Sequence, residues 1–153
     1  MIAFPVNGIC RSKSAGINQK YMYTFRKEER LCSRKHLDLL FKNGSSFLLY
    51  PFRVSYLFVE DQTDVQAQVV INVPKKRYKR AVDRNLLKRR IREAYRLNKQ
   101  EKFYKGLPLD KGLLLFSIQF VGKQKYEFTF IEKKLIATFK RFQSLILPDE
   151  VNQ

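Results

Sequence analysis

The sequence predicts a single α+β domain, and three observations carry that reading. Phe52, Val54, Tyr56 and Phe58 alternate with Arg53, Ser55 and Leu57, the period of a strand with one buried face. Gly112–Val121, GLLLFSIQFV, is an almost unbroken apolar run with β character, as a central strand requires. The stretches 33–42, 83–99 and 126–142 instead repeat their apolar residues every three or four positions, the period of a helix. A length of 153 residues suits one domain, and a hydrophobic content of 44% supplies its core. Eight Tyr and thirteen Phe make that core aromatic.

Taken in order, residues 1–23 hold Pro5, Gly8, Gly16 and small polar residues, and they read as a flexible N-terminal extension. The domain is expected over 24–143, with a C-terminal tail over 144–153. Ser33 is a good N-cap for a first helix through Lys42, with Gly44 just past its end. Leu37, Leu40 and Phe41 share a face of it. Ser46–Val59 reads as one strand, with Pro51 marking a bulge or an edge near its start. Glu60–Asp64 is the turn that follows, and Val65–Val73 is expected to return as the second half of a hairpin. Pro74 ends it. Gly106-Leu107-Pro108 closes the long helix that comes next. Strand, helix, strand makes a crossover unit, so Val65–Val73 and the central strand are expected to be parallel neighbours. General topology would make that crossover right-handed. A last amphipathic helix over Tyr126–Phe142 turns Phe128, Ile131, Leu135, Ile136 and Phe139 inward.

The charge lies mostly in one place. Of the 25 residues from Lys75 to Lys99, twelve are Lys or Arg and two are acidic, which is +10 of the chain's +17. From Asp83 onward no Pro or Gly interrupts a run of good helix formers. Leu87, Ile91, Ala94 and Asn98 fall on one face, flanked by Tyr95, Leu97 and Leu86. Asn85, Lys88, Arg89, Arg92, Arg96 and Lys99 are placed on the other. A basic helix face is ordinarily just solvated. Here Lys88, Arg92 and Arg96 follow one another at i,i+4, where like charges repel by a few tenths of a kcal/mol. A helix accumulates such pairs when an anion covers them, and a pI near 10.1 points to a polyanion.

The same residues carry a resemblance. Ala81-Val82, Arg84-Asn85, Lys88-Arg89 and Arg92-Glu93, at these spacings, resemble the signature helix of the bacterial ribonuclease P protein subunit. Leu86 stands where that family has a second Arg. Arg77-Tyr78-Lys79-Arg80 stands where it usually has a turn with Gly. RLCSRKHLDLLFKNG, from Arg30, is similar to the family's first helix. The resemblance spans about Phe25 to Phe142. It implies the element order α-β-β-β-α-β-α, a sheet of about four strands, and a rare left-handed βαβ crossover through the basic helix, which is the hand expected here. It implies RNA binding by Lys75, Lys76, Arg80, Arg84, Asn85, Lys88, Arg89, Arg92 and Arg96. It also implies a cleft for the single-stranded 5′ leader of precursor tRNA. Phe41 matches one aromatic of that cleft, Leu37 replaces another, and Phe52 aligns with a strand aromatic facing it.

Function follows in the same terms. The resemblance implies a subunit of an endoribonuclease whose partners are the ribonuclease P RNA and precursor tRNA. Its Mg²⁺ is held by the RNA subunit and substrate, and the polypeptide alone is not catalytic. The residues agree. Fourteen acidic side chains are scattered without a metal-holding motif, and there is no phosphate-binding glycine loop. His36, the one histidine, has no Cys or carboxylate cluster around it in sequence. Cys10 and Cys32 fit neither a metal spacing nor a disulfide framework, so a reducing cytoplasm is the expected setting. No apolar run is long enough for a membrane span, and no obligate protein partner is evident. A structural RNA-binding protein of ribosomal type is the alternative that composition alone leaves open.

Overall fold

The computed structural model describes residues 23–108 and 110–147. All of the expected N-terminal extension except Tyr23 lies outside these residues. The elements run α1 (Arg34–Asn43), β1 (Ser45–Leu49), β2 (Phe52–Val59), β3 (Ala67–Asn72), α2 (Ala81–Asn98), β4 (Leu113–Phe120) and α3 (Phe128–Ile146). One four-stranded sheet has the order β1-β2-β4-β3. This is the α+β domain and the element order expected.

Several local signals act as read. Ser33 caps α1, its Oγ accepting from His36 N–H at 3.5 Å. At the other end Gly44 N–H donates to Leu40 O. A Cβ at Gly44 would lie 2.3 Å from that oxygen, so only glycine lets the chain turn directly into β1. Pro51 offers no N–H to a ladder, and the expected single strand 46–59 divides there into β1 and β2. The two pair antiparallel from Ser45 opposite Tyr56 to Leu49 opposite Phe52. α3 runs four residues further than its pattern predicted, to Ile146, which is buried.

The expected β2–β3 hairpin does not form. β4 lies between them, antiparallel to β2 and parallel to β3. The reason is burial: Leu113 to Ile118 lose all but a few per cent of their surface, and only an interior strand covers both faces of such a run. β3, α2 and β4 therefore form the crossover unit. Gly112 begins β4 at φ 83°, where a Cβ would meet Val59 O at 2.5 Å.

The two faces of the sheet differ. Phe52, Val54, Ala67, Val69, Leu114, Phe116, Ile118 and Phe120 join Leu87, Ile91, Ala94 and Tyr95 of α2 and Ile131, Leu135, Phe139 and Phe142 of α3 in the main core. Edge-on aromatic contacts run through it, such as Phe116 on Phe142 at 5.0 Å. On the opposite face Leu37 and Leu40 of α1 pack with Leu31, Leu57, Val59, Val70, Leu113 and Leu115. α1 covers only that end. The other end of the face carries Arg53, Ser55, Ser117 and Gln119 from β2 and β4, whose alternation sets them opposite the core.

Candidate nucleic-acid interface

The loop before α2 is fixed first, because it sets where the basic helix starts. Tyr78 replaces the glycine-bearing turn with an anchor. Its ring packs on Phe120 at 6.0 Å and its hydroxyl donates to Gly122 O at 3.0 Å. Arg77 and Tyr78 N–H both reach Pro74 O. The charged side chains Lys75, Lys76, Arg77, Lys79 and Arg80 are left exposed around this buried tyrosine.

Along α2 the cations divide. Asn85, Arg89 and Arg92 are exposed and Lys88 is half-buried, and none of the four has a hydrogen-bond or ion-pair partner among the described residues. They stand at i, i+3, i+4 and i+7, a single stripe about 10 Å long. Arg84 is different. Its Nη1 donates to Tyr78 O at 2.7 Å and Lys79 O at 2.6 Å, holding the preceding loop against the helix. Arg90 donates to Tyr126 O and so ties α2 to the start of α3.

Two cations expected on the outer face are spent within the fold. Arg96 donates through Nε and Nη2 to Glu93 and through Nη1 to Tyr23 O, so each of its three nitrogens has a partner within the fold. The Glu93 carboxyl is held low by the Arg96 hydrogen bonds. Lys99 is buried at 1% exposure. Its Nζ bonds Glu29 Oε1 and Thr24 O. Tyr104 adds a hydroxyl on Glu29 at 3.1 Å, and Tyr95 touches Tyr104 at 3.3 Å. Burial lowers the Lys99 ammonium and raises both phenols. The geometric cause is plain: Lys99 lies about 80° from Ile91 around the helix, next to Tyr95, and residues 24–29 fold over that flank. A π-helical turn, Lys99–Phe103, then carries Phe103 into the core.

The aromatic candidates separate as well. Phe41, at the C-terminal end of α1, is 64% exposed. Leu37 is partly buried against the small cluster beneath α1. Phe52 is 0% exposed and packs on Phe120 at 6.0 Å, on the core side of the sheet. It offers no ring face to a ligand, and its assignment to a cleft is corrected. Residues on the sheet surface that α1 leaves uncovered are instead the out-of-phase partners Arg53 and Ser55. The alternation that marked Phe52 as inward already pointed these two outward. Leu86, in place of the family's Arg, is 38% exposed, so that replacement removes a surface cation without filling the core.

Asp83 pairs with Lys125 at 3.1 Å, Glu93 with Arg96 and Glu29 with Lys99. No group of three or more His, Cys, Asp or Glu side chains placed to hold a metal occurs among the described residues. No helix of the described residues is long and apolar enough to cross a membrane.

Comparison with known proteins agrees with this geometry. The model of the ribonuclease P family matches residues 25–143. Two ribonuclease P protein components from strains of Porphyromonas gingivalis are each 44% identical over 73 residues, 48% of this chain. The chain spans about half the length of these curated relatives, 53%. The ribonuclease P protein from Thermotoga maritima superposes with a TM-score of 0.57 at 29% identity, covering 74% of this chain and 96% of its own. The Staphylococcus aureus ribonuclease P protein shares the fold, with a TM-score of 0.57 at 20% identity over 74% of this chain and 94% of its own.

Proposed function

We propose a function from one premise: this chain belongs to the ribonuclease P family. It acts as the protein subunit of a ribonucleoprotein that removes the 5′ leader from precursor tRNA, with the catalytic RNA as its partner. The observation that carries this reading is the stripe Asn85, Lys88, Arg89 and Arg92, which has no ion-pair partner among the described residues. Arginine grips phosphate through a planar fork, and Asn85 can both donate to and accept from a 2′-hydroxyl. Lys75, Lys76 and Arg80 extend the same surface into the loop before α2. Arg84 serves it indirectly by holding that loop.

The protein carries no step of bond cleavage. Mg²⁺ held by the RNA and the substrate, rather than by side chains of this chain, would supply the chemistry of cleavage. What this chain contributes is position. Its cations hold the RNA backbone, and the exposed ring of Phe41 on α1 receives the leader. A free, exposed Cys32 suits a reducing cytoplasm. The family premise removes the support for a ribosomal-type structural protein.

The test is reconstitution at low Mg²⁺ with a bacterial ribonuclease P RNA and precursor tRNA. The protein is expected to raise the rate of site-specific cleavage over RNA alone, and to cleave nothing without the RNA. Sustained, site-specific cleavage by RNA-free protein would overturn the assignment, as would a reconstituted rate equal to that of RNA alone.

A further inference from the structure

The tip of the β1–β2 hairpin holds a second aromatic surface that neither the basic helix nor Phe41 explains. Tyr50 is 45% exposed, and its neighbour Leu48 is 67% exposed. The Tyr50 ring is held from one side only. Its hydroxyl lies 2.7 Å from the Tyr126 hydroxyl and accepts from Lys123 N–H at 3.2 Å, and the two rings meet edge-on at 6.2 Å. Tyr126 is itself stacked on Phe130 at 4.3 Å, so the support does not turn easily. Hydrogen bonds from Tyr126 and Lys123, with the charges of Lys123 and Arg77 nearby, hold the Tyr50 hydroxyl below the usual phenol range.

Leu48, two positions before Tyr50, lines an open depression of about 480 Å³ together with Ser46, Phe47, Arg53, Arg77 and Val121. No acidic residue lines it. Arg53 reaches it from the polar face of the sheet and Arg77 from the loop before α2. A fixed ring with free area, a concavity of ligand size, and cations without carboxylates match the chemistry of unpaired RNA, whose bases stack and whose phosphates need cations. A duplex would bury its base faces and gain nothing from Tyr50.

We propose that this hairpin tip is a binding site for single-stranded RNA, in which Tyr50 stacks one base while Arg53 and Arg77 hold the adjoining phosphates. It rests on the reading of the chain as an RNA-binding subunit and adds to it a site beyond the end of the sheet that α1 covers. The competing account is that Tyr50 only fastens the hairpin to the start of α3.

Binding of a labelled, unstructured RNA octamer to the full chain separates the two, with an RNA duplex as control. Tyr50→Ala is expected to weaken the octamer by roughly 5- to 100-fold and the duplex by less than about twofold. Tyr50→Phe keeps the ring and loses the hydroxyl bonds, so the octamer should bind within about twofold of wild type. Arg77→Ala should reduce the log–log salt slope for the octamer by roughly 0.7. Wild-type octamer affinity in Tyr50→Ala would overturn the site. Equal octamer and duplex losses in both Tyr50 variants, with a lowered melting temperature, would show the fastening role alone. A wild-type chain that ignores the octamer yet stimulates the catalytic RNA would overturn this site and leave the proposed function standing.

Discussion

Lys88, Arg89 and Arg92 of α2 find no acid or carbonyl among the described residues, whereas Arg96 and Lys99, one and two turns further on, are engaged within the fold. The residue types are the same and the helix is continuous. What differs is what lies across from each. Glu93 sits one turn before Arg96, and Thr24–Glu29 folds over the flank that holds Lys99. Lys88, Arg89 and Arg92 have no ion-pair or hydrogen-bond partner among the described residues. A cation's work is therefore set by its counter-charge, and the helix divides into a half whose cations are left without partners among the described residues and a half that closes the domain.

The largest expected effect comes from the closed half. Lys99→Met keeps the aliphatic stem but strands the Glu29 carboxylate in a buried site. Breaking a buried pair from one side costs about 3–5 kcal/mol. Denaturant unfolding is expected to show that loss, while RNA affinity of the folded fraction stays within about twofold. A loss below about 1 kcal/mol would mean that the pair is solvated, and the division of the helix would lose its closed half.

A smaller effect is expected at Phe41, which sharpens the contrast by adding an exposed group that binds without charge. Each stacked base contributes about 1–3 kcal/mol. Phe41→Ala should weaken leader-bearing precursor tRNA by roughly 5- to 100-fold, and leave mature tRNA and stability nearly unchanged. Equal losses for both tRNA forms, with a lower melting temperature, would instead make Phe41 a packing residue.

Much of this was legible in the chain itself. Period, capping and punctuation located α1 and β2 and marked β4 as central, since all three are local signals. The parallel pairing of β3 with β4 was legible from the crossover pattern, but the entry of β4 between β2 and β3 was not, because neighbours in sequence are the default partners. The open stripe could be read because the absence of nearby acids is visible along a helix. The closed end could not: Glu29 and Lys99 stand 70 positions apart. The intramolecular bonds of Arg84 were hidden for a related reason, since its partners are backbone carbonyls that any sequence possesses. Phe52 was assigned outward by resemblance against its own alternation, and the alternation was right.

One pair of neighbouring arginines tests the central claim most directly. RNA affinity should be measured against salt concentration for Arg92→Ala and Arg96→Ala side by side. The account predicts that Arg92→Ala lowers the magnitude of the log–log slope by roughly 0.7–0.9, the loss of one phosphate contact, and that Arg96→Ala leaves it unchanged. A slope reduced by Arg96→Ala and untouched by Arg92→Ala would contradict it.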